Sequence, residues 1–417
     1  MNQTQYKYIH RDLEKTLQLY LSAPEILAVI GPRQCGKTTL LRHIAESLPP
    51  ERISWVDFEE REELELFLHD IKGFAQLHVK DRDYLFIDEF QYASLGGQNL
   101  KVLQDQYPIK ILITGSSATE LSIQSIRYLV GRIFVFHLFP FSFFEYMEVK
   151  EEGLLQFLHG DSPPGMEIIE RINHHFFEYR IFGGYPRVAF SSTVEEKRLV
   201  LKNIFNTYLL KEIKEILQYR SDYKLSKLIR ALALQLGGSI NYNELSSLTE
   251  MNHRELREGL NILEKTFILS PCYPYFTNKR LELVKTPKFY FVDNGFRNMT
   301  IDNFQPSNSR TDIGALNENF VAGELQHQEI TLRYWRTKSK AEVDFIVEQQ
   351  GETIPIEVKS QLSKPNLTRS YRSYLTKYSP KEGFILSNNH VDEIEVEGTT
   401  VSFIPHWFLP SIFRLKK

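Results

Sequence analysis

Gly31-Pro32-Arg33-Gln34-Cys35-Gly36-Lys37-Thr38 fits the pattern G-x-x-x-x-G-K-[ST] and lies between an apolar run at 26–30 and an amphipathic run at 38–48. That placement constrains the fold more than any other feature of the chain. A glycine-bearing turn from a buried strand into a helix requires a βα unit, and such strands belong to sheets covered on both faces. Further apolar runs at 53–58, 84–87 and 109–114 alternate with helical patterns at 12–21 and 59–70, which predicts a mostly parallel α/β sheet over residues 1–150. Ligands of open α/β sheets gather at the carboxyl ends of the strands.

The main-chain amides of this loop, with the unpaired donors and positive end of the following helix, suit phosphate oxygens. The expected contacts are Gly31, Gln34, Cys35, Gly36, Lys37, Thr38 and Thr39. Lys37 is the point charge for β- and γ-phosphates, and the Thr38 hydroxyl a magnesium ligand. Tyr84-Leu85-Phe86-Ile87-Asp88-Glu89 is an apolar strand ending in two carboxylates; Asp88 is the expected second holder of magnesium and Glu89 the base for the attacking water. The two halves predict ATP and Mg2+ as ligands and hydrolysis as the reaction. Asn278-Lys279-Arg280-Leu281 lacks the final carboxylate of a guanine-reading signature, so ATP is preferred over GTP. Ser116, in Thr114-Gly115-Ser116-Ser117, reads either as a γ-phosphate sensor or as a turn residue. Arg132 reads either as charge for the transition state, within the chain or across an oligomer interface, or as half of a salt bridge.

Residues 151–218 have helical period apart from Phe182-Gly183-Gly184-Tyr185-Pro186, and 151–221 is expected to form a helical lid. Over 222–300, three helical segments precede strand-like runs at 268–275 and 289–293 that flank Asn278-Lys279-Arg280, the order of a winged helix-turn-helix. Arg254, Arg257 and Lys265 fall on its candidate recognition helix, but so do Glu255, Glu258 and Glu264, so DNA and protein contact both fit. A linker is expected at 302–312 and a small α/β domain over 301–417. There, alternation along 341–348 and 353–359 leaves Asp344, Glu357 and Lys359 on polar faces, with Glu318, or Glu324 as its substitute, on the preceding helix. Two carboxylates on magnesium with a lysine beside the attacking water would serve phosphodiester hydrolysis; an ordinary surface hairpin has the same spacing. Pro355 suggests an edge or a bulge. Residues 360–381 carry five basic and no acidic residues, interleaved with Tyr371, Tyr374 and Tyr378, which fits either backbone binding or a solvated helix face.

Fifty Lys and Arg against 53 Asp and Glu, a net charge of −3, exclude a global attraction to polyanions or membranes. With 42% hydrophobic and 25% charged residues the chain is of ordinary globular composition. Cys35 and Cys272 are its two cysteines, and a disulfide through Cys35 would obstruct the loop, so a reducing compartment is expected. Residues 1–14 lack the apolar run of a secretion signal, which points to the cytoplasm. The apolar stretch 128–147 is interrupted by Arg132, His137 and Pro140 and is not expected to span a membrane.

On Gly31-Pro32-Arg33-Gln34, Gly36-Lys37-Thr38-Thr39, Ile87-Asp88-Glu89-Phe90-Gln91, Thr114-Gly115-Ser116-Ser117, Gly131-Arg132, Phe182-Gly183-Gly184-Tyr185-Pro186, the run from Gly314 to Val321, and Glu342-Val343-Asp344-Phe345, the chain resembles the prokaryotic AAA-type P-loop ATPases with a C-terminal restriction-endonuclease-like, PD-(D/E)xK-like region. The resemblance covers most of the chain. It implies an AAA core, nucleotide hydrolysis and a nuclease-type fold for the last domain, and little about a physiological substrate. Cys35 departs from the small aliphatic residue expected there and adds thiol sensitivity to the expectations. The resulting expectation is a magnesium-dependent ATPase coupled to DNA binding or processing through the winged helix and the last domain, with homo-oligomerisation compatible. The competing class is an ATP-gated protein-interaction module whose nuclease-like domain cuts nothing.

Overall fold

The computed structural model describes residues 7–93, 95–116, 128–208, 222–278, 280, 282 and 286–414. Ser117, Lys279, Leu281 and the last part of the expected lid, 209–221, lie outside the described residues. The chain divides into two compact units, Met1–Phe141 with Asn261–Phe267, and Ser142–Leu260 with Ile268–Lys417.

The first unit is built on the parallel sheet that the sequence predicts. Its strands are β1 (Ile26–Ile30), β2 (Ile53–Asp57), β3 (Tyr84–Asp88), β4 (Lys110–Gly115) and β5 (Ile133–His137), in the order β2-β3-β4-β1-β5, and every pairing is parallel. All five residues of β1 are buried, as a strand covered on both faces requires. The helix Lys37–Glu46 sends Leu40, Leu41 and Ile44 against Leu27, Val29, Phe86 and Leu112. A cluster of Phe58, Phe67, Phe74 and Phe90, with ring centroids 4.9–6.1 Å apart, also packs in this unit. Because β4 lies between β1 and β3, the loop after β1, the two carboxylates after β3 and Ser116 after β4 come out side by side.

In the second unit the helix Phe143–Lys150 comes first, helices Met166–Phe182 and Val194–Thr207 occupy the region read as a lid, and helices Asp222–Leu234 and Tyr242–Thr249 follow. The Phe182 to Pro186 interruption has a structural cause. Gly183 has φ +75°, and the Asp293 carboxylate accepts the Gly184 N–H at 2.7 Å and the Phe296 N–H at 2.7 Å. Burial lifts the Asp293 carboxyl to about 6 even against those main-chain donors. A Cβ at Gly183 would meet that carboxylate at 2.2 Å. Gly183→Ala is therefore expected to lower stability by ~3 kcal/mol, from the left-handed backbone and the collision together; chemical denaturation checks it, and a loss below about 1 kcal/mol would contradict this packing.

Segment 302–312 is held firmly for a stretch read as a linker. Arg310 donates to the Asn303 carbonyl at 2.6 Å, to Asn298 at 2.9 Å and twice to Asp312 at 2.8 Å, and Arg297 donates to Asp312 at 2.5 Å and to the Ala233 carbonyl at 2.8 Å. Composition alone suggested a loose connection; long-range arginine contacts override it.

Strands β6 (Leu269–Pro274) and β7 (Lys288–Phe291) form the expected antiparallel hairpin, but β6 also pairs in parallel with β8 (Arg333–Arg336), which pairs with β9 (Glu342–Val343), so the hairpin is part of a sheet rather than a free wing. The run expected as one strand over 341–348 is two: β9 ends at Val343 and β10 (Phe345–Gln349) begins after Asp344, in a different sheet. That second sheet runs β10-β11-β12-β14-β13, with β11 (Glu352–Val358), β12 (Glu382–Leu386) and β14 (Thr399–Ile404) parallel and β10 and β13 (Asp392–Val396) antiparallel at its margins. Pro355 stands in the interior strand β11, not at an edge. It is tolerated because the ladder to β12 begins one residue later, at Ile356. Tyr371 and Tyr374 are fully buried in the core of this sheet, with Trp335, Ile385 and Phe403, while Arg369, Arg372 and Lys377 face outward. Tyr371 and Tyr374 are therefore core residues, and Tyr378 is half-buried against the same core. No described helix is long and apolar enough to cross a membrane.

Candidate active site

The loop after β1 is curled by left-handed backbone at Gln34 (φ 61°) and Gly36 (φ 100°), which aims successive N–H groups into its hollow. Gly31 continues the strand, its N–H on the Gly115 carbonyl at 3.3 Å. Lys37 is buried and folds back on the loop, its Nζ donating to the Gly31 carbonyl at 3.0 Å and the Pro32 carbonyl at 2.9 Å. Those are weak neutral acceptors that a phosphate oxygen can replace with a charged one. Thr38 is half-buried in the first helical turn and Thr39 is exposed.

Cys35 points inward: its thiol donates to the Leu138 carbonyl at 3.2 Å and is fully buried. Burial pushes its pKa up, although Lys37 and Arg11 pull the other way. The thiol sensitivity expected from sequence is therefore corrected, because a buried, protonated thiol is a poor nucleophile. Sequence reasoning missed Arg11, whose guanidinium braces the loop from behind, on the Cys35 carbonyl at 2.8 Å and the Phe139 carbonyl at 2.6 Å. No local pattern marks it, since its partners are 24 and 128 residues away.

At the end of β3, Asp88 is buried, and its Oδ1 accepts the Thr114 hydroxyl and, at 3.2 Å, the Glu89 N–H. Both bonds fall on Oδ1, which leaves Oδ2 for a cation. With the Thr38 hydroxyl, this gives the hard oxygen donors that magnesium takes. Glu89 itself has left-handed backbone, φ 54°, and its N–H also reaches Thr114 Oγ1 at 3.0 Å. Its carboxylate accepts from Gln91 Nε2 and lies 4.0 Å from Arg33. Gln91, buried, turns its oxygen to the Ser116 N–H at 3.1 Å. Ser116 is thus brought to the carboxylates. Arg132 is not: it stands just before β5, at the opposite end of the parallel sheet from the loop, and pairs with Asp105 at 2.5 Å. A role within the chain's own site is corrected to the salt bridge.

In the second unit, Glu318, Asp344, Glu357 and Lys359 come together. Asp344 accepts the Val358 N–H at 2.7 Å, Lys359 lies 2.7 Å from Glu357, and the Thr368 hydroxyl donates to Glu357 at 3.1 Å. The Tyr290 hydroxyl donates to Glu318 at 3.1 Å. Burial, reinforced by the charges of Glu318 and Glu357, holds the Asp344 carboxyl well above its usual range, and burial likewise raises Glu318 against the pull of Lys288. Glu324 is elsewhere, accepting the Phe143 N–H at 2.8 Å. Lys288, bonded to Glu342, is a second cation at the cluster, buried where Lys359 is part-exposed, that sequence did not signal because it arrives on β7 only through the shared sheet. Among the described residues no group of three or more His, Cys, Asp or Glu side chains is already arranged as a metal shell. On the candidate recognition helix Arg254 pairs with Glu258 at 3.0 Å, and on the helix Asp222–Leu234 Lys224 pairs with Glu255 at 3.1 Å and Lys227 with Glu250 at 2.5 Å.

Comparison with known proteins matches residues 23–147 to an AAA domain, and residues 173–307 and 313–407 to two domains of unknown function, DUF8612 and DUF4143. The chain is similar to an uncharacterized protein of Haemophilus influenzae, 24% identical over 92% of this chain and 94% of that one. It is similar also to an uncharacterized protein of Methanocaldococcus jannaschii, 25% identical over 96% and 85%. Among solved structures, the Walker-type ATPase of Pyrococcus abyssi aligns with 70% of this chain and 96% of its own, at 17% identity and a TM-score of 0.46. The loop, the acidic strand and the parallel sheet that carries both all fall inside the match at 23–147, so this part of the chain is an AAA domain of the P-loop fold, and the C-terminal part matches a domain of unknown function.

Proposed function

We propose that the first unit binds ATP with magnesium and hydrolyses it to ADP and phosphate. The observation that carries this reading is the side-by-side emergence of the amide-lined loop, Asp88, Glu89 and Ser116 at the carboxyl edge of one parallel sheet. Lys37 leaves the Gly31 and Pro32 carbonyls for the β- and γ-phosphates, and Thr38 and Asp88 hold the cation, which neutralises charge building on the phosphate oxygens. Glu89 orients a water and takes its proton as oxygen adds to the γ-phosphorus and the bond to the β-phosphate's bridging oxygen breaks. Gly31, Gln34, Cys35, Gly36 and Thr39 contribute main-chain or first-turn contacts. Steady-state phosphate release that requires both ATP and magnesium tests the reading; a folded chain that binds the nucleotide and releases no phosphate contradicts its hydrolytic half.

A second activity is supported by the convergence of Glu318 from a helix, Asp344 from the break between β9 and β10, and Glu357 and Lys359 from the end of β11. Carboxylates held in a crowded acidic site, with a lysine against one of them, suit magnesium-dependent hydrolysis of a DNA phosphodiester. The ion pairs on the 222–258 helices argue against these helices as the main phosphate-contacting surface, so DNA contact is assigned to the last domain. Asp344→Asn and Lys359→Ala are each expected to lower magnesium-dependent cleavage of plasmid or single-stranded DNA by at least about 100-fold. Absence of cleavage in the parent, or cleavage untouched by both substitutions, would leave the ATP-gated protein-interaction module as the better reading.

A further inference from the structure

Gln91 is a short-range neighbour of the acidic pair, yet its side chain is buried at 4% exposure and both ends of its amide are used on the site. The nitrogen donates to the Glu89 carboxylate, and the oxygen accepts the Ser116 N–H at 3.1 Å. One amide therefore ties the end of β3 to the end of β4 across the strand boundary where a γ-phosphate would lie. Glu89 has few other restraints on its carboxylate: Arg33 is 4.0 Å away, and is itself shared with Glu59 at 3.9 Å and the Tyr92 hydroxyl at 3.3 Å. The main chain beneath is fixed by contrast, since the left-handed Glu89 N–H is held by Asp88 and Thr114. What the backbone leaves open, the orientation of the carboxylate, Gln91 determines.

We infer that Gln91 is a positioning residue that sets the Glu89 carboxylate according to what occupies the Ser116 end of β4. The inference rests on the hydrolytic reading above and deepens it. A glutamine suits this place because it offers a donor to the carboxylate and an acceptor to a main-chain N–H at once. A phosphate oxygen that takes up the Ser116 N–H displaces the Gln91 oxygen, the amide turns, and its nitrogen, still bonded to the Glu89 carboxylate, carries that carboxylate toward the water and holds it there. Nucleotide occupancy is thereby transmitted to the base through a single side chain, without any change in the sheet.

The test compares the full-length parent with Gln91→Ala, Gln91→Glu and Gln91→Asn, using magnesium-ATP turnover and, separately, binding of magnesium-ATPγS by calorimetry. Gln91→Ala is expected to keep ATPγS affinity within about threefold and lose at least tenfold in kcat. Gln91→Glu places a second carboxylate against Glu89, and the acidic limb of its pH–rate profile is expected to move to higher pH. Gln91→Asn retains the amide on a shorter stem and is expected to recover part of the lost kcat. A simple packing role would lower affinity and thermal stability together and leave the pH profile in place. An unchanged kcat in Gln91→Ala, in a parent that turns over, overturns the inference alone. A parent that binds ATPγS without turnover overturns it together with hydrolysis, and a parent that binds no nucleotide overturns the site itself.

Discussion

Lys37→Ala is expected to weaken magnesium-ATP binding by roughly a hundredfold or more, while Glu89→Gln keeps binding near the parent's and stalls turnover. The lysine replaces two neutral carbonyl acceptors, at 3.0 and 2.9 Å, with phosphate oxygens, and charge-assisted bonds in a buried setting contribute about 1.5–3 kcal/mol each. Two of them lost amount to about 3 kcal/mol or more, hence the hundredfold. Glu89 touches the reacting water rather than the ground-state nucleotide in this account, so its amide substitution removes a contribution of roughly 10²–10⁴ in kcat with little effect on affinity. Titration with ATPγS and phosphate-release kinetics separate the two. Equal loss of binding in both variants would refute the assigned roles.

Asp312→Asn is expected to destabilise the second unit by about 3 kcal/mol or more, because it leaves the Arg297 and Arg310 guanidiniums, 2% and 0% exposed, facing each other without their shared carboxylate. Burial pushes the Asp312 carboxyl up, but the bonds from Arg310 and Arg297 win and hold it down to about 2, below its ordinary 3.8. A depressed carboxylate contributes stability that is present above pH ~4 and lost as pH falls toward 2. Asp293 works in the opposite sense: raised to about 6, it binds its proton earlier in the folded chain and favours folding as pH falls from about 6 toward 4. Urea denaturation across this range is expected to show the parent losing stability below pH ~4 and the Asp312→Asn chain lacking that component; a variant as stable as the parent at neutral pH would contradict the arginine network.

The parts of this molecule legible in its sequence are those whose causes are local. The loop from Gly31 to Thr38 and the strand ending in Asp88 and Glu89 each combine a period, a turn and a charged terminus within a few residues, and they mark out the first sheet and its carboxyl edge. The strand–carboxylate pattern of Asp344, Glu357 and Lys359 is local too: alternation puts them on polar faces, although an ordinary surface hairpin has the same spacing. Its details are not: Asp344 interrupts its strand because the chain passes there from one sheet to another, a choice made by partners in β8 and β11. Arg11 and Lys288 escaped for the same reason, since each acts on groups brought near only by tertiary structure. Arg132 shows the converse. Its neighbouring glycine and its place in the chain suggested the site, but a parallel strand puts its first and last residues at opposite ends of the sheet. Composition misled at 302–312, where polar residues that resemble a linker are instead partners for buried guanidiniums.

Isothermal calorimetry of the full chain with ATP in excess magnesium bears most directly on the central claim, that an amide-lined loop, Lys37 and Asp88 together receive a triphosphate. The account predicts a saturable heat for one nucleotide per chain, abolished in Lys37→Ala and reduced when magnesium is chelated. A folded parent that gives no such heat, or a heat that the Lys37→Ala chain reproduces, would contradict it.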